Sequence, residues 1–424
     1  MAQRYDTYKD SGVQWLGEIP RHWGCVPVRR IAYVNPTRKK NLEADSYVGY
    51  APMERIRCDK MNPSKIKVSK LTSGLTYCEE GDIVLAKVTP CFENGNLAIV
   101  PHIEQGCCYA SSELFVFRAK DKVLPRFLFY TFLNRGFINA GASTMHGTGG
   151  LKRVTTEFAN SAATPLPPLS EQHSIVTYLN GKCGKIDEWL EKKQNEVEHL
   201  QELKQRVIAD AVTQGIDPNV TMKQTGVFWW KETPEHWQKI RLGYILQKMN
   251  RMREPNSELL VCTNKGKVIK RGETKIGLIA DSEEIYQGVA EGDLLIHGMD
   301  TWHGAIAVSN FNGMCTPVVH VCTSNENLYF VAYYMQVMAY SKIFKLISNG
   351  VRQNTSDFRS WSKVDKIPIM LPPKQEQDSI VSYISDKTTK IDKLIANINK
   401  EIEGIKEYKQ RLISDVVTGQ IKVC

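Results

Sequence analysis

Two stretches of this chain carry apolar residues at helical spacing over far more than the length of an ordinary globular helix. In one, Ile391, Ile395, Ile398, Ile402, Ile405, Leu412 and Val416 follow at steps of four and three, interrupted only by Lys409. In the other, Ile186, Leu190, Val197, Leu200, Val207 and Ala211 keep the same spacing, broken at Lys193 and Lys204. These stripes predict long helices at about Lys185 to Thr213 and Thr388 to Thr418. Gly181 and Gly184 are expected to separate the first from a short helix at Glu171 to Leu179. Ser170 and Asp386 are expected as N-caps. Thirty helical residues make a rod of ~45 Å. A heptad stripe on a lone helix cannot stay exposed. The economical partner is the other stripe, giving an antiparallel two-helix coiled coil within one chain; packing of each helix on its own globular block is the alternative.

The stripes belong to a longer repeat. Leu166 to Thr213 aligns without a gap to Leu371 to Thr418 at an offset of 205, with 23 of 48 positions identical. Both copies read LPPxxEQxxIVxY and then KID. A second echo pairs GVQWLGEIPRHW, from Gly12, with GVFWWKETPEHW, from Gly226, and a third pairs EGDIVL at Glu80 with EGDLLI at Glu291. The order is the same in both halves, so the chain is a duplication. Between the echoes lie short β-rich runs such as DIVLAKV, LAIVPHI and SELFVFRA, then LLIHGM, GAIAVS and VVHVC. One apolar helix is expected in each half, in LPRFLFYTFLN and LYFVAYYMQVM. The fold class expected is α/β (α+β): two mixed domains and two long antiparallel helices, related by an internal pseudo-twofold repeat.

Composition narrows the class. The chain has 424 residues, which at about 150 per domain suggests two or three domains. Hydrophobic residues make up 42% and charged residues 24%, as in a globular protein rather than a disordered or fibrous one. No apolar run is long enough for a membrane span, and MAQRYDTYKD lacks the apolar core of a signal peptide. Eleven scattered cysteines without a CxxC pair fit reduced thiols, hence a cytoplasmic setting. The net charge of +9 is unevenly placed. Ser170 to Thr213 and Gln375 to Thr418 together sum to −3, leaving +12 on the remainder. Two basic domains joined by helices suit a long polyanion.

Catalytic signatures are missing. There is no GxxxxGK[ST] loop, no GxGxxG after a strand and no GxSxG elbow. Gly147, Gly149 and Gly150 in HGTGG read as a turn. His297, Asp300 and His303 are of metal-ligand type but lack an evident fourth ligand, and His102 with Cys107 and Cys108 is read the same way. The Asp-Pro-Pro-Tyr or Asn-Pro-Pro-Tyr tetrapeptide that would hold a flipped base is absent. No catalytic, cofactor or metal site is expected.

The repeated entry segments, the EQ and KID signatures and the two variable blocks resemble the specificity subunit of type I restriction-modification enzymes over essentially the whole chain. The resemblance implies a non-catalytic subunit with target-recognition domains at 1–165 and 215–370 and helical spacers at 166–214 and 371–424. Each domain would read one half of a bipartite asymmetric site on double-stranded DNA. The helices would set the half-site spacing and dock two methyltransferase subunits, with translocating restriction nuclease subunits joining the larger prokaryotic complex. Gly404, inside the second long helix, departs from a good helix former and is expected to mark a bend.

Which residues touch DNA does not transfer from the resemblance. Chemistry favours the matched loops before the Leu-Pro-Pro repeat, where Lys152, Arg153, Arg352, Gln353 and Asn354 offer donors suited to purine edges or phosphates. Arg38, Lys39, Lys40, Lys265, Lys267, Lys270 and Arg271 are expected as phosphate contacts or solvated surface. Three other readings stay open: the recognition subunit of a methylation-only or other restriction system, a self-contained nuclease, and a coiled-coil scaffold.

Overall fold

The computed structural model describes residues 3–37, 42–104, 106–147, 150–272, 285–348 and 356–423. They form two compact units, one from Met1–Lys193 with Lys400–Cys424 and the other from Gln194–Asn399. Each unit therefore contains one mixed α/β domain and a stretch of both long helices.

The long helices span Leu169–Gln214 and Lys374–Val417, 46 and 44 residues, without a break. This corrects the expected interruption at Gly181 and Gly184 and the expected caps: Ser170 and Asp386 lie inside the helices, Asp386 bonded to Lys390 one turn on at 2.8 Å. Gly404 likewise sits within continuous helix. All three glycines are exposed, with open space where a Cβ would stand. Each costs up to ~1 kcal/mol relative to alanine. On the other face, Ile175 and Leu179 are fully buried, and burying such a side chain contributes about 1.5–3 kcal/mol. Packing outweighs propensity.

Within the first unit, Ile175, Leu179 and Cys183 share a core with Leu412, Ile413, Val416 and Val417. Lys409 meets Asp187, and Lys193 meets Glu401. Partner numbers fall on one helix as they rise on the other, so the pair is antiparallel. In the second unit, Ala211 and Val212 share a core with Ile380 and Ile384, and Lys204 meets Asp392.

The domains repeat one plan. In the first, an antiparallel sheet orders Leu97–Ile99, Ile83–Ala86, Leu114–Ala119 and Ala32–Val34. In the second, the corresponding order is Ile306–Val308, Leu294–His297, Val319–Thr323 and Gln247–Lys248. An apolar helix backs each sheet, Pro125–Leu133 and Leu328–Tyr340. The other faces of these sheets pack on further strands, a second four-stranded sheet ordered Ser64–Lys67, Tyr47–Ala51, Cys107–Ala110 and Thr76–Glu79 in the first unit and two strand pairs in the second, forming separate cores around Val84, Val116 and Cys108, and around Leu295, Val321 and Cys315. The repeated EGD is a turn: Gly81 and Gly292 take φ of 82° and 89°, which suits glycine. Its aspartate is buried. Asp82 accepts from Arg118 and from Glu79 N, and Asp293 accepts from Arg251 and from Ala290 N.

Each domain closes where it meets its helix. The strand after the entry segment pairs with the strand that ends in Leu-Pro-Pro: Gly24 opposite Leu166 in one unit, Gln238 opposite Leu371 in the other. The chain thus leaves the domain beside the place where it entered.

Candidate nucleic-acid interface

The repeated motifs turn out to bond to each other. In the first unit, Glu171 of the EQ pair accepts from Tyr5 OH at 2.9 Å and from Trp23 Nε1 at 2.9 Å, and His22 Nε2 lies 2.6 Å away. In the second, Glu376 accepts from Trp237 Nε1 at 3.0 Å and His236 Nε2 lies at 2.6 Å. Burial alone would raise the Glu171 carboxyl, but the bonds from Trp23, His22 and Tyr5 prevail and hold its pKa below the ordinary value. The neighbouring glutamine is fully buried and spends its amide mostly on backbone. Gln172 accepts from Leu124 N at 2.8 Å and donates to Lys122 O and Pro167 O. Gln377 accepts from Asn327 N at 2.9 Å and donates to Pro372 O and to the Glu326 carboxylate. Entry segment, helix start and apolar helix are tied at one joint in each unit.

The helix stripe is placed as follows. Val197, Ile391, Ile398, Ile402, Leu412 and Val416 are buried; Ile186, Leu190, Leu200, Val207, Ile395 and Ile405 are half-buried. The lysines that interrupt it face acids across the pair. Lys409 Nζ lies 2.6 and 2.7 Å from the Asp187 oxygens, and Lys204 Nζ 2.7 Å from both Asp392 oxygens. Asp187 and Asp392 are the aspartates of the two KID motifs, and Lys204 and Lys409 correspond under the same offset. The KID of one repeat therefore pairs with the KQR lysine of the other.

Of the residues expected to face DNA, Arg38, Lys39, Lys40, Arg352, Gln353 and Asn354 lie outside the described residues. Lys152 and Arg153 sit together on an exposed edge of the first domain, strapped to the Lys87–Thr89 segment. Thr89 N donates to Lys152 O at 3.0 Å, and Val154 N to Lys87 O at 2.8 Å. Arg153 makes a bidentate pair with Glu113. In the second domain, Lys265 lies in the turn and Lys267 and Lys270 on the strand of a hairpin, Leu260–Thr263 against Lys267–Lys270, with Arg271 following. Lys265, Lys267 and Lys270 are exposed and Arg271 is half-buried; Lys270 bonds Glu258 at 2.5 Å. Sequence reading missed a second basic group in this domain, a shallow cleft of about 510 Å³ lined by Lys239, Arg241, Tyr244 and Lys366. The alternation in the strand Gln238–Arg241 puts Lys239 and Arg241 on one face. Lys366 joins them through strand pairing that no local pattern shows. Tyr244 is 77% exposed, a ring free to stack.

The residues of metal-ligand type do other work. His297 Nδ1 accepts from Asp300 N at 3.1 Å, shaping a turn, and burial pushes its pKa down despite Asp300. No group of metal-holding side chains occurs among the described residues. Cys315 and Cys322 are buried, which pushes each thiol up to about 12, and none of the described cysteines is in a disulfide. No described helix is long and apolar enough to cross a membrane.

Comparison with known proteins agrees with this architecture. The chain is 34% identical over 179 residues to the type I restriction enzyme EcoAI specificity subunit of Escherichia coli, a match covering 40% of this chain and 30% of that one. The chain thus spans less than a third of that relative's length. It is 22% identical over 430 residues to the type I restriction enzyme MjaVIII specificity subunit of Methanocaldococcus jannaschii, covering 96% and 94%. Among solved structures, a chain of a type I R-M system superposes with a TM-score of 0.71 at 19% identity, covering 94% of this chain and 98% of that one, which shows a shared fold. The family model described as the type I restriction modification DNA specificity domain matches twice, at residues 20–199 and 234–404. With both halves matched, the chain belongs to the type I restriction-modification DNA specificity family.

Proposed function

We propose that this chain is the non-catalytic DNA-recognition subunit of a type I restriction-modification complex in the prokaryotic cytoplasm. Residues 1–165 and 215–370 form two target-recognition domains, each reading one half of a bipartite asymmetric site on double-stranded DNA. The helical segments 166–214 and 371–424 set the half-site spacing and dock two methyltransferase subunits; translocating nuclease subunits complete the assembly. The observation that carries this reading is the double family match, one per domain, on a chain whose two halves repeat the same joint of EQ to HW. The charge supports it, since the positive excess lies outside the acidic helices and phosphate contact needs it on the domains.

Mapping methylated bases genome-wide in the host, with and without this chain, tests the proposal. A bipartite methylated motif that disappears with the chain is expected. A methylation pattern that does not depend on the chain contradicts it.

A further inference from the structure

Arg153 is fixed twice over. Its backbone bridges to Val88 on one side and His146 on the other, with Arg153 N donating to His146 O at 2.9 Å. Its guanidinium donates from Nε to Glu113 Oε2 at 2.8 Å and from Nη2 to Oε1 at 2.9 Å. Glu113 is itself placed by the same segment, its carbonyl accepting from Lys87 N at 3.0 Å. The Arg153 side chain is nevertheless 48% exposed, against 16% for Arg118 and 33% for Arg251, whose forks serve buried turn aspartates. The bond from Arg153 outweighs burial, and with Lys87 nearby it holds the Glu113 carboxyl below its ordinary range, so both partners stay charged at neutral pH.

We propose that Arg153, buttressed by Glu113, reads a guanine edge in the first half-site, with Glu113 as the positioning residue that makes it a base reader rather than a phosphate contact. This rests on the DNA-reading function proposed above. A pair of opposite charges has no net charge to release counterions, and the carboxylate beside it repels a phosphate. What remains is direction. The Nε–Nη2 side is occupied, and Nη1 with the second Nη2 hydrogen is uncommitted among the described residues. That end-on pair of donors matches guanine O6 and N7 in the major groove. An arginine that pivoted freely would pay rotamer entropy on binding; the Glu113 pair has already fixed it.

The test selects bound duplexes from a pool randomised over about two helical turns, using the full chain, Arg153→Ala, Arg153→Lys and Glu113→Gln. Affinity for one selected and one unselected duplex is then followed against salt. Thermal melting checks that each variant is folded. Arg153→Ala and Arg153→Lys should each relax one G·C position by roughly 5- to 150-fold. Glu113→Gln should relax the same position, steepen the slope by up to about 0.9 and tighten binding to the unselected duplex, because it frees a cation. A merely structural Glu113 would not tighten anything. The assignment is overturned if Arg153→Ala weakens both duplexes equally, or leaves the selected motif intact. A wild-type chain that selects no motif overturns the DNA-reading function and this assignment with it.

Discussion

Glu171 is the residue on which most of the first unit's joint depends, since one carboxylate answers Tyr5, His22 and Trp23. Removing its charge leaves the buried Trp23 donor with a poorer acceptor, and hydrogen bonds to charged groups are worth about 1.5–3 kcal/mol. Glu171→Gln should therefore lower stability by about 1–2 kcal/mol at pH 7 in urea denaturation. Its folded pKa is depressed, so the contribution is complete above the unfolded glutamate value, about 4.3, and is lost as pH falls through the lower folded value. The gap between wild type and variant should close over that acid window. A gap independent of pH would mean that shape, not charge, holds the joint. The motif was visible in the sequence; its partner was not, because 148 residues separate Trp23 from Glu171 and repetition alone does not say what touches what.

At the scale of the helices, the stripe of apolar positions was legible from spacing, while the ends and continuity were not. Glycine and a candidate N-cap are local signals, and they lost to burial of Leu179 and Ile384 on the opposite face. The lysine interruptions looked like defects in the stripe. Instead Lys204 and Lys409 answer the KID aspartates, each a pair that antiparallel packing brings together. Both aspartates are more than half exposed, so each pair is worth only about 0.2–1 kcal/mol in a double-mutant cycle. Lys204→Glu should destabilise the helix pair and Asp392→Lys in the same chain should restore it, measured by thermal melting. If the double reversal stays as unstable as the single, the pair is incidental.

For the molecule as a whole, the duplication was readable and fold class followed from it, whereas the surface proposed to read bases was only partly readable. Arg153 stood out as a basic loop residue; Glu113 did not, since it lies 40 positions away and reaches Arg153 through the fold. In each unit the end of a long helix bonds to an entry segment. In the first unit Lys422 N donates to Gln3 O at 2.8 Å and Gln420 Nε2 to Glu18 O at 2.7 Å. In the second, Thr233 Oγ1 donates to Thr213 O, so the helix end meets the following entry segment in the same way. A circular permutant joining residue 422 to residue 3 and opened between Gly215 and Thr225 should retain sequence-specific DNA binding; a folded permutant without it would contradict the repeat. Adding four residues to both helices, after Val197 and near Asn399, lengthens each by ~6 Å and rotates it only ~40° past a full turn. The spacer between half-sites should then grow by one or two base pairs, read by methylation mapping.

The central claim is that each domain reads one half of the site. Its most direct test is to exchange residues 24–165 for the corresponding segment of another family member and map methylated bases genome-wide. The account predicts a motif whose one half-site is new and whose other half-site, read by residues 238–370, is unchanged. A motif altered in both halves, or in neither, would contradict it.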